Sequence, residues 1–158
     1  MSDDPAIFFR DFVRRAYDEH LQSPLDEYRA KSAVQEIDNM AERMWHYWSK
    51  RDPSKVYNTA SASGYREYLR ANVCQDFGLV WDVHDAHKHV ELTRRIEHRK
   101  VTTHKQTGAD KAGWSDASWA EQPWSGGDML TIRLDGGEKR SLGVVLKNAI
   151  EMWEQLLH

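Results

Sequence analysis

Apolar residues recur at helical spacing along most of the chain, and these stripes predict its helices. One stripe predicts a helix over residues 5–21, and a new start signal follows at Ser23 and Pro24. The next stripe is the longest and ends near Trp48. The opposite face of this second helix is rich in charge and includes Asp38, so we expect that face to be solvated.

The middle of the chain predicts two more helices. Proline, asparagine and serine interrupt the pattern between Arg51 and Ser63, which predicts a loop. Apolar spacing resumes at Gly64, and a polar restart at Asp76 favours two helices over one continuous helix. The second of them is expected to run to about Leu92.

The last third of the chain predicts a small β element and a closing helix. Loose alternation over residues 96–107 indicates a strand, and residues 108–127, which hold three of the seven tryptophans, indicate a long loop. Alternation over residues 129–134 followed by Asp135-Gly136-Gly137 predicts a β-hairpin. An apolar stripe over residues 144–157 predicts the final helix. The expected fold is mainly α (α+β), a single domain of residues 1–158 forming a four- or five-helix bundle with a small β-hairpin or sheet inserted before the C-terminal helix.

Composition narrows the class of protein. The chain has 158 residues, 40% of them hydrophobic, which suits one packed domain. Its single cysteine, Cys74, excludes an internal disulfide and fits a reducing compartment. We find neither a signal peptide nor an apolar run of membrane-spanning length, so we expect a cytoplasmic protein without a membrane partner. The formal net charge of −3 argues against a surface that is basic throughout.

The densest chemical feature is a cluster of histidine and aspartate in the eight positions after Trp81. Its candidate residues are Asp82, His84, Asp85, His87, Lys88 and His89. Imidazole beside carboxylate suits either a metal ion or acid–base chemistry near neutral pH. The chain lacks an HExxH spacing, and further metal ligands would have to come from outside the cluster, from His20, His46, His98 or His104. A purely structural role, in which the histidines hydrogen-bond at the edge of the core, is the competing interpretation.

A basic segment overlaps this cluster. Six Lys or Arg and two acids lie between His87 and Lys105. Such a segment could bind the phosphate of RNA or of a nucleotide, or it could be an ordinary solvated surface that faces acidic neighbours. If the protein is an enzyme, we expect catalytic residues His84, Asp85 and His87, with one histidine as general base and Asp85 orienting it. The expected substrate-binding residues are Lys88, His89, Arg94 and Arg95, and we expect no metal and no other cofactor.

One stretch of the sequence resembles a known signature. The string FGLVWDVHDAHKHVELTR, residues 77–94, resembles that of a family of small bacterial proteins with an aspartate, a small residue and Lys-His before L-x-R. The helical arrangement of that family resembles HEPN domains, some of which are metal-independent ribonucleases of toxin–antitoxin and phage-defence systems. HEPN ribonucleases place an arginine and a histidine on a helix with four to six residues between them. Here that spacing is met by Arg14 or Arg15 with His20, and by Arg99 with His104.

Two functions follow as hypotheses. The resemblance implies a HEPN-like bundle of a defence or toxin–antitoxin system that binds or cleaves RNA or a nucleotide. The alternative is a non-catalytic interaction module, such as an immunity protein, an antitoxin or an accessory subunit. In that case the acidic surface and the loop that carries Trp114, Trp119 and Trp124 would bind a protein partner. A homodimer is possible in either case.

Overall fold

The helices of the protein follow the apolar stripes of the sequence. The computed structural model describes residues 2–89, 98–110 and 129–158. Its helices are α1 (Pro5–Phe8), α2 (Arg14–Gln22), α3 (Glu27–Trp48), α4 (Ala62–Asn72), α5 (Gln75–His89) and α6 (Leu142–Leu157). Its strands are β1 (Thr107–Asp110), β2 (Met129–Arg133) and β3 (Lys139–Ser141). The fold is thus mainly α with a small antiparallel sheet before the last helix, as predicted.

Short polar side chains begin most of these helices. Asp4, Asp26, Ser61 and Ser141 each accept a hydrogen bond from a backbone N–H of the first helical turn. This cap satisfies donors that have no partner within the helix, and each such cap contributes about 1 kcal/mol. The predicted start signal at Ser23 and Pro24 thus lies just before α3, whose cap is Asp26.

A π-helical segment joins α1 to α2. Residues Phe9–Val13 form it between α1 and α2, and the N–H of Arg14 bonds to the carbonyl oxygen of Phe9. A π turn holds more residues than an α turn, so the side chains that follow are rotated around the axis. Val13 is fully buried whereas Phe12 remains 41% exposed, although both lie on the predicted stripe.

The sheet begins later in the chain than the sequence predicted. The expected strand over residues 96–107 is wrong in its described part, because His104–Gln106 form a 3-10 turn and β1 starts only at Thr107. The side chain of Gln106 accepts hydrogen bonds from the N–H groups of Thr102 and Thr103, which favours a turn over extended backbone. β1 pairs with β2, and β2 pairs with β3 through the predicted hairpin.

Helix α3 lies at the centre of the core, in contact with α2, α4, α5 and α6. Trp153 of α6 is fully buried, and its indole Nε1 donates to the carbonyl oxygen of Ile37 at 3.0 Å. Trp45 and Trp48 are half-buried against the same core. The predicted tryptophan loop, residues 108–127, lies outside the described residues apart from its first three, which belong to β1. None of the described helices has the length and apolar character needed to cross a membrane.

Candidate functional site

Helix α5 carries the histidine and aspartate cluster, and its neighbours divide the cluster among several surroundings. The residues from Asp82 to His89 cover more than two helical turns, so their side chains leave the axis in different directions. The helix packs against α3, α4 and α6. The predicted cluster is therefore distributed around α5, and Asp82, His84 and Asp85 each take a partner from a different part of the chain.

His84 is bound to a buried carboxylate of α3. Its Nδ1 lies 2.7 Å from Oδ2 of Asp38, a residue that is only 3% exposed. Because an ionised carboxylate can only accept hydrogen bonds, Nδ1 carries the proton and donates it. In the neutral ring, Nε2 is then free of a proton and can accept one. The His84 side chain keeps 19% of its surface exposed, so the ring is not sealed inside the core.

Asp38 also binds Arg66 of α4. The guanidinium Nε donates to Asp38 Oδ1 at 2.9 Å, and Nη2 donates to the Asp38 carbonyl oxygen at 3.3 Å. The carboxylate of Glu42 lies 4.0 Å from the same Nη2. Arg66, Asp38 and His84 are thus connected by hydrogen bonds, and we call these three side chains the Arg66–Asp38–His84 chain. The expectation that Asp38 is solvated is wrong, because α4 and α5 both cover this part of α3.

Asp85 does not have the partner that we expected. It accepts a hydrogen bond from Nη2 of Arg99 at 3.1 Å, while the carboxylate bound to a histidine is Asp38. The expected orientation of a histidine by Asp85 is therefore corrected: Asp38, which is distant in sequence, is the carboxylate that orients His84. A partner of this kind cannot be read from the local spacing of the cluster.

Asp82 is the most deeply buried member of the cluster, at 2% exposure. Its Oδ1 accepts from Nη2 of Arg70 at 2.5 Å, and its Oδ2 accepts from the backbone N–H of Lys100 at 2.8 Å. Burial raises the pKa of the Asp82 carboxyl, and the charge of Arg70 opposes this effect. Asp82 thus links α4, α5 and the segment that follows residue 97.

His87 lies on the side of α5 that faces α3 and β1. It borders a small cavity together with Glu27, Lys31 and Thr107. Burial lowers the pKa of His87, and the positive charge of Lys31 adds to this effect. The ring centroid of His87 lies 6.5 Å from that of His104.

The four expected substrate-binding residues are only partly described. Lys88 and His89 are exposed at the C-terminal end of α5. Arg94 and Arg95 fall in residues 90–97, outside the described residues. Binding of a substrate by any of the four stays a prediction.

The histidines considered as additional metal ligands are spread over the molecule. Within residues 2–89, 98–110 and 129–158, no three residues among His, Cys, Asp and Glu come together in a way that could hold a metal ion. His46 is exposed on α3, 3.6 Å from Glu42, and His20 is buried at the end of α2. Cys74 is half-buried, and burial raises the pKa of its thiol.

The first of the arginine and histidine matches to the HEPN spacing, Arg14 or Arg15 with His20, does not form a shared site among the described residues. Arg14 pairs with Asp18 and Arg15 with Glu19 on the exposed face of α2, whereas His20 is 2% exposed. Within the described chain, Nδ1 of His20 has no hydrogen-bond partner. Burial lowers the pKa of His20, because it disfavours the charged form of the ring.

The lowered pKa values of His20 and His87 predict that the protein loses stability in mild acid. A histidine with a lowered pKa in the folded state binds its proton more weakly than in the unfolded chain. The stabilising contribution is therefore complete above the ordinary histidine pKa of 6.5 and is lost as the pH falls from there toward the lowered pKa of the folded state. Urea unfolding at about pH 7.5 and about pH 5.5 measures this loss. His20→Met should reduce the loss and the exposed-site control His46→Gln should not; an unchanged loss in His20→Met would contradict the assignment to His20.

The sequence-based reasoning missed the arginines that complete the site. Arg66 and Arg70 lie four residues apart on α4, each directly after a core residue, Tyr65 and Leu69. An arginine repeated at that spacing beside an apolar stripe is the signal that could have indicated buried ion pairs. Arg99 belongs to the basic segment, but nothing local distinguishes it from its neighbours.

The arrangement provides an imidazole with one nitrogen fixed by a carboxylate and a guanidinium that holds this carboxylate in place. Such an imidazole can remove or deliver a proton through its other nitrogen. In comparisons with known proteins, no protein family, no curated protein and no solved structure matches this chain.

Proposed function

We propose that the protein is a HEPN-like helical bundle of a bacterial or phage defence or toxin–antitoxin system, and that it cleaves RNA with His84 as general base. The observation that carries the proposal is the hydrogen bond from His84 Nδ1 to Asp38 Oδ2 at 2.7 Å. It fixes the tautomer in which Nε2 can accept a proton. His87 is the other candidate base, but its described surroundings include the cation of Lys31 and offer no comparable carboxylate contact at hydrogen-bond distance.

The chemistry assigned to His84 is a transesterification. Nε2 takes the proton of a ribose 2′-hydroxyl, and the 2′-oxygen forms a bond to the adjacent phosphorus. The bond from phosphorus to the 5′-oxygen breaks, and that oxygen takes a proton from water. The products are a 2′,3′-cyclic phosphate and a 5′-hydroxyl, and the reaction requires only proton transfers and an environment that tolerates charge.

The residues around His84 determine how well it can act as a general base. Asp38 stabilises the imidazolium that forms when Nε2 is protonated, and two hydrogen bonds from Arg66 hold Asp38 in position. The exposed Lys88 and His89, with Arg94 and Arg95 further along the chain, are proposed to bind the RNA phosphates. Asp85, which pairs with Arg99, is proposed to act through that arginine only.

The test is cleavage of a labelled single-stranded RNA by the full chain in the presence of EDTA. His84→Gln should reduce the cleavage rate by about 100-fold or more, because general-base catalysis contributes about 10² to 10⁴. Glutamine can still donate to Asp38 but cannot accept a proton at neutral pH. The matched control is His46→Gln, which removes an exposed histidine from α3 and should leave the rate unchanged.

Two outcomes would contradict the proposal. One is a wild-type protein that yields no cyclic phosphate, and the other is a His84→Gln variant as active as wild type. Circular dichroism of both variants ensures that lost activity is not lost folding.

The second candidate function is a protein-binding module, and an exposed apolar patch favours it. Leu21, Leu25 and Tyr28 lie around the turn between α2 and α3 and are 51%, 47% and 79% exposed. Large apolar side chains this exposed, grouped at one turn of the chain, favour a binding role. An inactive wild-type protein that forms dimers at micromolar concentration, and loses them in Tyr28→Glu, would favour this function over RNA cleavage.

A further inference from the structure

A groove separate from the Arg66–Asp38–His84 chain is bordered by a concentration of basic side chains. It has a volume of about 710 Å³ and lies between the end of α4, the start of α5, residues 98–100 and the β2–β3 hairpin. Its basic residues are Arg70, His98, Arg99, Lys100 and Arg140. Its acidic residues are Asp76, Asp82 and Glu138.

In two of the three acidic residues of the groove, both carboxylate oxygens already accept hydrogen bonds. Asp76 accepts two hydrogen bonds from Arg140, both at 3.0 Å, and a third from the side-chain amide of Asn148 at 2.8 Å. Asp82 accepts from Arg70 and from the backbone N–H of Lys100. Carboxylates that are satisfied in this way repel an incoming anion less than free ones, and they hold the basic groups in fixed positions.

Arg70 and Arg99, in contrast, have N–H donors without a hydrogen-bond partner among the described residues. The side chains of Arg70 and Arg99 are only 7% and 6% exposed. In each of them Nε and Nη1 are buried and have no hydrogen-bond partner within the described part of the chain. Leaving a buried donor of a charged group unpaired is unfavourable by about 1–3 kcal/mol or more. Four such donors, on two residues that both border the groove, indicate a missing acceptor.

The missing acceptor must be an anion with several oxygens. A guanidinium offers its N–H groups as a planar fork, and phosphate oxygens match this fork with two parallel hydrogen bonds. The first turn of α5 also borders the groove at Gln75 and Asp76, and a helix N-terminus adds partial positive charge there. Trp81, whose ring lies 4.8 Å from the Arg70 guanidinium, covers one face of that group and leaves its edges for hydrogen bonding.

We propose that this groove is a phosphate-binding site, with Lys100 as its exposed contact and with Arg99 and Arg70 as the buried guanidinium groups that border it. Its ligand is a phosphoryl group, supplied either by a free nucleotide or by the backbone of RNA. The proposal does not depend on the cleavage reaction assigned to His84, because none of the three proposed contacts belongs to the Arg66–Asp38–His84 chain.

The experiment is isothermal titration calorimetry of the full chain with inorganic pyrophosphate, with ADP and with a short single-stranded RNA. Lys100→Gln should weaken binding of the phosphate ligand by about threefold to tenfold, since it removes one charge and leaves the backbone bond to Asp82 intact. Arg99→Lys should weaken binding by about tenfold or more, because a lysine keeps the charge but loses the fork. The matched control Lys147→Gln removes an exposed lysine of α6 and should bind as wild type does.

The same titrations distinguish a free nucleotide from RNA as the source of the phosphoryl group. Similar affinities for pyrophosphate and ADP, with weak RNA binding, assign the site to a free nucleotide. Tight RNA binding that falls steeply with added salt assigns it to the RNA backbone. The proposal is overturned if wild type shows no saturable binding of any of the three up to about 10 mM, or if Lys100→Gln and the control bind alike. Because Lys100 is exposed, that variant tests the site even if Arg99→Lys fails to fold.

Discussion

Replacing Asp82 with alanine is expected to lower the free energy of unfolding by about 3–5 kcal/mol, the effect typical of breaking a buried ion pair. The substitution leaves the guanidinium of Arg70 without its counter-charge at 7% exposure. It also removes the acceptor of the Lys100 N–H. Urea unfolding followed by circular dichroism at neutral pH measures the change.

The control is Asp18→Ala on α2, where the ion pair with Arg14 is exposed and contributes at most about 1 kcal/mol. The double variant Arg70→Met with Asp82→Leu should recover part of the lost stability, because neither position then holds an unpaired buried charge. Recovery should be incomplete since the Lys100 N–H still lacks an acceptor. A loss below about 1 kcal/mol in Asp82→Ala would mean that water solvates Arg70, contrary to its burial.

Gly78 explains how the side chain of Arg70 can pack against α5. A Cβ built at residue 78 would lie 2.6 Å from Arg70 Cγ, closer than real atoms approach each other. The Gly78 carbonyl oxygen also accepts from Arg70 Nη2 at 2.8 Å. The glycine is unfavourable in a helix interior by itself, yet here it lets the arginine cross α5 to reach Asp82.

Most helices could be predicted from the sequence because burial of one face leaves a periodic record. α3 and α6 follow their stripes, and the restart at Asp76 correctly separates α4 from α5. The signal was weaker wherever side-chain hydrogen bonds outweighed backbone preference. Gln106 is the clearest case, since its amide organises residues 102–106 into a turn and delays the strand to Thr107.

The site was harder to predict because its decisive contacts join residues far apart in the chain. The sequence places His84 in a cluster of its own neighbours, but its carboxylate partner is 46 positions away. Periodicity assigns a residue to an angle around its helix and does not say which other helices cover that angle. Asp38 lies beside Ile37 at the edge of the core stripe, and only the positions of α4 and α5 make that edge interior.

Replacing Asp38 with alanine should have an effect as large as that of Asp82→Ala, again about 3–5 kcal/mol. The change leaves Arg66 with the distant carboxylate of Glu42 and leaves His84 without an acceptor for Nδ1. The loss should exceed that of His84→Gln, which keeps a donor to Asp38 and should lower stability by about 1 kcal/mol. Thermal and urea unfolding of the two variants, compared with wild type, measure the difference.

The comparison of Asp38→Ala with Asp38→Asn separates the structural from the chemical role of this carboxylate. Asparagine keeps the size of the side chain and one acceptor oxygen, so part of the stability should return. It cannot stabilise an imidazolium, so RNA cleavage should remain reduced by about 10-fold or more if His84 is the general base. A stable Asp38→Asn variant with wild-type activity would assign the Arg66–Asp38–His84 chain to the fold alone. The function would then have to be sought at the basic groove or at the apolar patch of the α2–α3 turn.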